Sequence, residues 1–328
     1  MEEPTRVALA LGSGGARGYA HIGAIEVLEE RGFEIVVVAG SSMGALVGGL
    51  HAAGKLDAYT DWARDLTQLD VLRLLDLSLS APGVLRAEKI FARVRDLFDG
   101  VLIEDLPVPF TAVATDLFAR KAVWFQQGPA DVAVRASLAI PGLFAPVMLN
   151  GRLLVDGGVL DPVPIAPTAA VQADVTVAID LGGERSGAPE GPPDRETAEE
   201  RPLDEWLERF RRGASRLLDR DMIRSFMSRF GGAAEGNQAG DEEPPDGESV
   251  ESLPEGVGRF DLMNQSLEAM QSVLTRYRLA GNPPDVLVTI PKDACRSLDL
   301  HRASEMIELG RTLTEEALDR SDFAGLSP

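Results

Sequence analysis

Cysteine and positive charge are both scarce in this chain of 328 residues. Cys295 is the only cysteine, which excludes a disulfide within the chain and fits a reducing compartment. Lysine and arginine number 32 against 52 aspartates and glutamates, so the net charge is −20. Because nucleic acids and anionic lipid surfaces both attract basic proteins, this balance argues against a nucleic-acid partner and against nonspecific adhesion to membranes.

Long apolar runs are also missing. No uninterrupted run approaches the ~18 residues that would indicate a membrane-spanning helix. The acidic start Met1-Glu2-Glu3-Pro4 does not resemble a signal peptide. We therefore expect a cytoplasmic protein, with any membrane contact being peripheral. With 45% hydrophobic residues, the chain can still bury a large core.

The chain does contain a regular alternation of apolar strand patterns and helical patterns. This order is typical of an α/β protein with a three-layer α/β/α sandwich and a mostly parallel central sheet. A helix over Phe260–Leu279 is expected to pack against the core. The predicted strands cover Arg6–Leu11, Phe33–Ala39, Phe110–Thr115, Ala122–Phe125, Arg152–Val155, Val175–Ile179 and Val286–Ile290.

The motif Gly40-Ser41-Ser42-Met43-Gly44 follows the second predicted strand and precedes a predicted helix. It fits Gly-x-Ser-x-Gly, in which a sharp turn between strand and helix presents a serine. Gly40 and Gly44 leave room for the backbone beneath that turn, and the helix N-terminus favours negative charge developing beside the serine. Ser42 is therefore the candidate nucleophile.

A glycine-rich loop, Gly12-Ser13-Gly14-Gly15-Ala16-Arg17-Gly18, connects the first strand to the next helix. Read as a dinucleotide motif, it has Arg17 where the third glycine belongs, and the second strand does not end in a ribose-binding carboxylate. Backbone N–H groups at Gly14, Gly15, Ala16 and Arg17 suit an oxyanion instead, at ~3 kcal/mol per donor. The Arg17 guanidinium either adds positive charge or ties down the loop. We expect an oxyanion hole and no cofactor.

Three histidines are available as a base for the serine: His21, His51 and His301. In the usual Ser-Asp-His order only His301 lies late enough, but it begins the predicted C-terminal helix. A histidine-dependent esterase stays open as an alternative. It predicts that His301→Ala abolishes activity and that Asp156→Asn does not.

Asp156 is the other candidate base. It ends a short apolar strand and precedes Gly157 and Gly158, which let another backbone approach. An aspartate has an ordinary pKa near ~3.9, so it needs apolar surroundings and direct contact with the serine hydroxyl to act as a base near neutral pH.

Together the three motifs resemble those of the patatin-like phospholipases, especially bacterial members similar to the catalytic domain of neuropathy target esterase. The family's oxyanion motif matches residues 13–18, its Gly-x-Ser-x-Gly matches 40–44, and its Asp-Gly-Ala/Gly matches 156–158, in the family order. The likeness covers residues 6–183 and, more faintly, 258–322.

The resemblance implies a patatin-like fold and a Ser42–Asp156 dyad that works without histidine or metal. It also implies hydrolysis of phospholipids, lysophospholipids or related lipid esters through an acyl-enzyme. The alternative is a lipid-binding or regulatory protein on the same scaffold with little turnover. The nucleophile motif favours the enzyme, because a binding protein needs no strained serine.

Residues 184–257 differ in character from the rest, being rich in glycine, proline and acidic residues. They predict flexible linkers inserted into a catalytic domain of residues 1–183 plus 258–328. Within the insertion, residues 203–230 place arginines opposite an apolar face, as in a basic amphipathic helix. We expect this helix to contact a membrane or micelle, or to cover Ser42, with docking on the protein body as the alternative.

Overall fold

The described residues of the chain fall in three long stretches. A computed structural model describes residues 3–75, 87–184, 259–321 and 323. The predicted helix at 203–230 lies outside them, as does nearly all of the predicted insertion.

Contacts divide the chain into two units. The second unit comprises Ala81–Gly83 and Pro193–Ser266, of which the structure describes residues 259–266 as helix. The first unit holds the sheet and the candidate site, and consists of Met1–Ser80, Val84–Pro192 and Leu267–Pro328.

The predicted mostly parallel sheet is confirmed. Among the described residues it has eight strands, in the order β5-β6-β3-β2-β1-β7-β8 with β4 paired to β3. The pairs β1–β2, β1–β7, β2–β3 and β7–β8 are parallel, whereas β3–β4, β3–β6 and β5–β6 are antiparallel. The strands are β1 Arg6–Leu11, β2 Glu34–Ser41, β3 Phe110–Asp116, β4 Lys121–Phe125, β5 Val147–Leu149, β6 Arg152–Asp156, β7 Val175–Gly183 and β8 Val286–Pro291.

Helices flank the sheet, and short 3-10 turns lead directly into two of them, the helices that begin at Ala20 and Ala303. The described α-helices are α1 Ala20–Glu30, α2 Met43–Ala52, α3 Leu56–Arg64, α4 Gln68–Leu74, α5 Glu88–Phe98, α6 Ala130–Ser137, α7 Arg259–Gly281 and α8 Ala303–Asp319.

Strand β1 shows how both faces of the sheet are covered. Leu9 and Leu11 belong to the main apolar cluster, which also contains buried residues of α1, α2 and α8. Ala10 faces the opposite side of the sheet and belongs to a second apolar cluster that includes Ile165. Leu279 of α7 packs against this second cluster. This alternation is what a strand buried on both faces requires, and it produces the predicted sandwich.

The two strands that carry the candidate catalytic residues share one edge of β3. Strand β4 pairs with β3 from Ala112 to Asp116 and so occupies one edge. Strand β2 therefore occupies the first half of the opposite edge, up to Val113, and β6 occupies the second half from Ala114. Because β2 and β6 run toward each other along this edge, the residues at their carboxyl ends meet.

Helix α7 corrects one prediction. The apolar side chains of its pattern were expected to pack the core, but Met270, Val273 and Tyr277 are exposed. Another face of the helix packs against the rest of the protein, and on that face Thr275 is buried and Leu279 contacts the second cluster. Apolar residues occur on more than one face of this helix, so the pattern alone did not identify the buried side.

Candidate active site

Ser42 lies in a strained turn between β2 and α2, as the motif predicts. Its backbone has φ 56° and ψ −120°, in a region that residues other than glycine rarely adopt. The turn leaves no space around its two glycines. A Cβ on Gly40 would lie 2.2 Å from the Gly44 carbonyl oxygen, and one on Gly44 would lie 2.1 Å from the Leu11 carbonyl oxygen.

Ser137, at the end of α6, holds the strained turn in place. Its hydroxyl accepts the Ser42 backbone N–H at 2.8 Å and donates to the Val113 carbonyl at 2.6 Å. Sequence reasoning missed this residue. A polar residue beside the apolar positions of a short helix is too common a pattern to identify a site.

Asp156 meets Ser42 at the shared edge of β3. Its carboxyl group is buried and accepts the Gly158 N–H at 2.7 Å. Burial raises the pKa of Asp156 to about 6, against the opposing effects of the Ser42 side chain and the Gly158 N–H, which favour the charged form. The result is a carboxylate that is charged at neutral pH but far more basic than an exposed aspartate.

The glycine-rich loop lies next to this pair, and only some of its backbone N–H groups donate hydrogen bonds to other parts of the protein. The Ser13 N–H donates to the Pro162 carbonyl at 2.8 Å, and the Ala16 N–H donates to the Ser297 carbonyl at 3.0 Å. Within the described part of the chain, the N–H groups of Gly14 and Gly15 have no hydrogen-bond acceptor. Of the predicted oxyanion donors, the Ala16 amide is therefore occupied, whereas those of Gly14 and Gly15 are left for a ligand.

Arg17 ties down the loop, which was one of its two predicted roles. Its Nη1 donates to the carbonyl oxygens of Lys292 and Cys295, at 2.9 and 3.2 Å. His21 secures the other end of the loop, because its Nε2 lies 2.8 Å from the Gly12 carbonyl and must donate to it. Complete burial lowers the pKa of His21 to about 4, so the ring is neutral.

The three motifs converge at this point. A Cβ on Gly158 would lie 2.1 Å from the Ser13 Oγ, and one on Gly18 would lie 2.2 Å from the Met43 Cγ. The aspartate turn, the glycine loop and the serine turn therefore touch one another. All the predicted supporting residues lie in these three contacting loops, namely Gly12, Ser13, Gly18, Gly40, Gly44, Gly157 and Gly158.

The histidines have other neighbours. His51 Nδ1 lies 3.7 Å from a carboxylate oxygen of Glu29, and His301 lies in a 3-10 turn just before α8. Within the described part of the chain, no hydrogen bond joins a histidine to Ser42 or Asp156.

Asp161 is a second buried carboxylate beside the site, and sequence reasoning missed it. Its backbone carbonyl accepts the Ser41 hydroxyl at 2.6 Å. Among the described residues, neither buried carboxylate oxygen has a hydrogen-bond donor, and the nearest positive charge is the Arg278 Nε at 3.6 Å. Burial raises the pKa of Asp161 to about 6, and Arg278 opposes the shift.

Comparison with known proteins agrees with this arrangement. Residues 9–169 match the family model described as patatin-like phospholipase. An uncharacterized NTE family protein of Mycobacterium tuberculosis H37Rv is 52% identical over 335 residues, covering 96% of this chain and 91% of the relative. This chain belongs to the patatin-like phospholipase family. It is accordingly a lipid ester hydrolase.

More distant relatives match a shorter part of the chain. The lysophospholipase nte1 of Emericella nidulans is 33% identical over 189 residues, which cover 56% of this chain and 12% of that protein. The human patatin-like phospholipase domain-containing protein 6 is 32% identical over 185 residues, covering 54% and 13% respectively. Among the residues that the structure describes, no helix is both long and apolar enough to span a bilayer.

Proposed function

We propose that this hydrolase cleaves carboxylic ester bonds of phospholipids, lysophospholipids or related lipids with Ser42 as nucleophile and Asp156 as general base. The observation that carries the proposal is that the strained Ser42 turn and the buried Asp156 carboxyl group, whose pKa is about 6, meet at one edge of β3. That pKa leaves Asp156 ionised at neutral pH while keeping it basic enough to accept a proton.

Acylation would begin with transfer of the Ser42 hydroxyl proton to Asp156 as Oγ attacks the ester carbonyl carbon. The carbonyl oxygen becomes an oxyanion, for which the free N–H groups of Gly14 and Gly15 are the supporting donors. When the tetrahedral intermediate collapses, the ester C–O bond breaks and the proton on Asp156 passes to the departing alcohol. The acyl group remains on Ser42.

Deacylation would repeat the sequence with water as nucleophile. Asp156 takes a proton from the water as its oxygen attacks the acyl carbon, and the same two amides support the second oxyanion. Collapse breaks the bond between Oγ and the acyl carbon, Asp156 returns the proton to Ser42, and a fatty acid leaves.

The test combines covalent labelling with turnover in the intact chain. Wild type, Ser42→Ala, Asp156→Asn and His301→Ala are treated with a fluorophosphonate probe, and fatty acid release from a lysophospholipid is followed in parallel. We expect labelling and release in wild type and His301→Ala, and neither in Ser42→Ala. Asp156→Asn should lose both to within a small residual rate.

Two outcomes would count against the dyad. Full activity in Asp156→Asn together with loss in His301→Ala would favour a histidine-dependent esterase. A folded wild type that neither labels nor releases acid, with detergent or liposomes present, would favour a lipid-binding protein with little turnover.

A further inference from the structure

Strands β3, β4, β5 and β6 form an antiparallel extension of the sheet beyond the end of β2. Strand β3 continues past Val113, which pairs with Ser41 at the end of β2, and β6 starts at Arg152 and runs back to Asp156. The β3–β4 turn and the β5–β6 turn therefore lie together at the far end of this extension. At ~3.3 Å per residue, they begin roughly 10 Å beyond Ser42.

This end of the extension, which we call the apolar tip, consists of Leu117, Phe118, Met148 and the half-buried Leu153. Leu117, Phe118 and Met148 are 42%, 67% and 61% exposed. The Leu117 N–H donates to the Leu153 carbonyl at 2.9 Å, and Leu153 pairs with Met148 across the strands. Leu117, Leu153 and Met148 thus lie side by side across three strands, and Phe118 follows Leu117 in the adjoining turn.

The backbone of the β3–β4 turn is fixed rather than loose. The buried Asp116 carboxylate accepts the N–H groups of Phe118 and Ala119, both at 3.0 Å. Two charge-assisted hydrogen bonds therefore hold Phe118 in its exposed position. Neighbouring apolar side chains that are held exposed mark an interaction surface more strongly than a single one does, because single exposed apolar residues are common.

The charge at the tip is opposite to that of the chain. Arg120, Lys121 and Arg152 are exposed around the apolar tip, and no residue of the segments 117–121 and 147–152 is acidic. The chain as a whole has a net charge of −20. A local basic rim around exposed apolar side chains is complementary to an anionic lipid surface, which attracts the rim and accommodates the apolar groups.

We propose that the apolar tip docks on the surface of an anionic phospholipid bilayer, with Phe118, Leu117 and Met148 entering the acyl region and Arg120, Lys121 and Arg152 at the head groups. The proposal rests on the proposed function, because docking here would bring lipid esters to the same edge of the sheet as Ser42. It gives the hydrolase a defined orientation on its substrate surface.

The test measures binding and needs no turnover. Full-length protein carrying Ser42→Ala is mixed with vesicles of phosphatidylcholine containing phosphatidylglycerol, or of phosphatidylcholine alone, and co-sedimentation gives the partition coefficient. The test variant adds Phe118→Ser and Met148→Ser. The matched control adds Leu69→Ser, since Leu69 is 61% exposed, as Met148 is, but lies on α4. A charge variant adds Lys121→Glu and Arg152→Glu.

We expect the Ser42→Ala protein to bind the anionic vesicles and the Leu69→Ser control to bind equally well. The apolar test variant should bind at least about tenfold more weakly, as loss of two inserted side chains requires. The charge variant should bind more weakly to anionic vesicles, and added salt should weaken binding of the parent protein.

Three results would overturn the proposal. Undiminished binding in the apolar variant would place the lipid contact elsewhere in the chain, and no binding of the parent protein to either vesicle would exclude a lipid surface. A shift from dimer to monomer in the apolar variant, without a change in vesicle binding, would assign the tip to a second copy. Because every protein in this test carries Ser42→Ala, the binding results can be interpreted even if the proposed catalytic dyad is wrong.

Discussion

Asp156 and Asp161 are two buried aspartates on the same turn of chain, and burial raises the pKa of each to about 6. Their surroundings differ. Asp156 lies beside the Ser42 side chain and accepts the Gly158 N–H, whereas the Asp161 carboxylate has no hydrogen-bond donor among the described residues and faces Arg278 at 3.6 Å. A raised pKa is therefore shared by the candidate base and by its neighbour.

The comparison shows that basicity does not identify a catalytic group in this site. What separates the two carboxylates is contact with a nucleophile, and that contact comes from the way β2 and β6 meet along one edge of β3. Asp161 instead sits where its backbone carbonyl anchors Ser41. We expect one carboxylate to act in the chemistry and the other to affect stability alone.

The largest expected difference is in turnover. Asp156→Asn should lower kcat on a water-soluble short-chain ester by about 10³-fold, because the amide cannot accept the serine proton. Asp161→Asn keeps the backbone carbonyl that anchors Ser41 and should stay within about threefold of wild type. Steady-state rates of the two purified variants decide this. Equal losses in both would remove the distinction between the carboxylates.

The next effect concerns the packing beneath the serine turn. Gly44→Ala would place a methyl group 2.1 Å from the Leu11 carbonyl oxygen and should lower the free energy of unfolding by about 4 kcal/mol. Gly281→Ala is the matched control, because a Cβ there meets no described atom within 4 Å. Urea titrations would measure both. A Gly44→Ala protein as stable as the control would show that the turn is not closely packed.

Both aspartates should make the free energy of unfolding depend on pH in the same direction. The folded pKa of Asp161 is about 6 against an ordinary value of 3.8, so the folded state binds more protons than the unfolded state between those values. Stability is therefore lost as the pH rises from about 4 to about 6 and stays reduced above that.

Replacing Asp161 with asparagine removes this loss. The Asp161→Asn variant should match wild type near pH 4 and exceed it near pH 7 by up to about 3 kcal/mol in free energy of unfolding. Asp156→Asn should show the same sign while being inactive. Urea titrations at the two pH values test this, and a wild type that becomes more stable across this window would contradict it.

The smallest expected effect is at Arg17, whose side chain anchors the glycine loop through hydrogen bonds to backbone carbonyl oxygens. Arg17→Lys keeps the positive charge but cannot reach both carbonyl oxygens, those of Lys292 and Cys295, with the same planar geometry. Losing one such hydrogen bond costs about 1 kcal/mol, so kcat should fall about fivefold with KM nearly unchanged. Wild-type kcat in Arg17→Lys would show that the loop is held without this contact.

The parts of the site that the sequence predicted are those encoded within a few consecutive residues. The strand, the strained turn and the helix around Ser42 follow from one pentapeptide and its neighbours, and the glycine loop follows from another short motif. Asp156 was found for the same reason, because its turn residues are adjacent in the chain.

What the sequence missed depends on contacts between distant positions. Ser137 supports the Ser42 N–H from 95 residues away, and Asp161 pairs with Arg278 on a helix much later in the chain. The exposed face of α7 was mispredicted because apolar spacing does not say which face meets the sheet. The apolar tip at Phe118 likewise exists only through pairing of β3, β5 and β6.

The most direct test of the account is the pH dependence of fluorophosphonate labelling in wild type, Asp161→Asn and Asp156→Asn. If Asp156 is the base, the labelling rate of wild type and of Asp161→Asn should rise with pH, with a midpoint of about 6, and then level off. Asp156→Asn should label slowly and without that transition. A transition near 6 that persists in Asp156→Asn, or disappears in Asp161→Asn, would contradict the assignment of Asp156 as the base that activates Ser42.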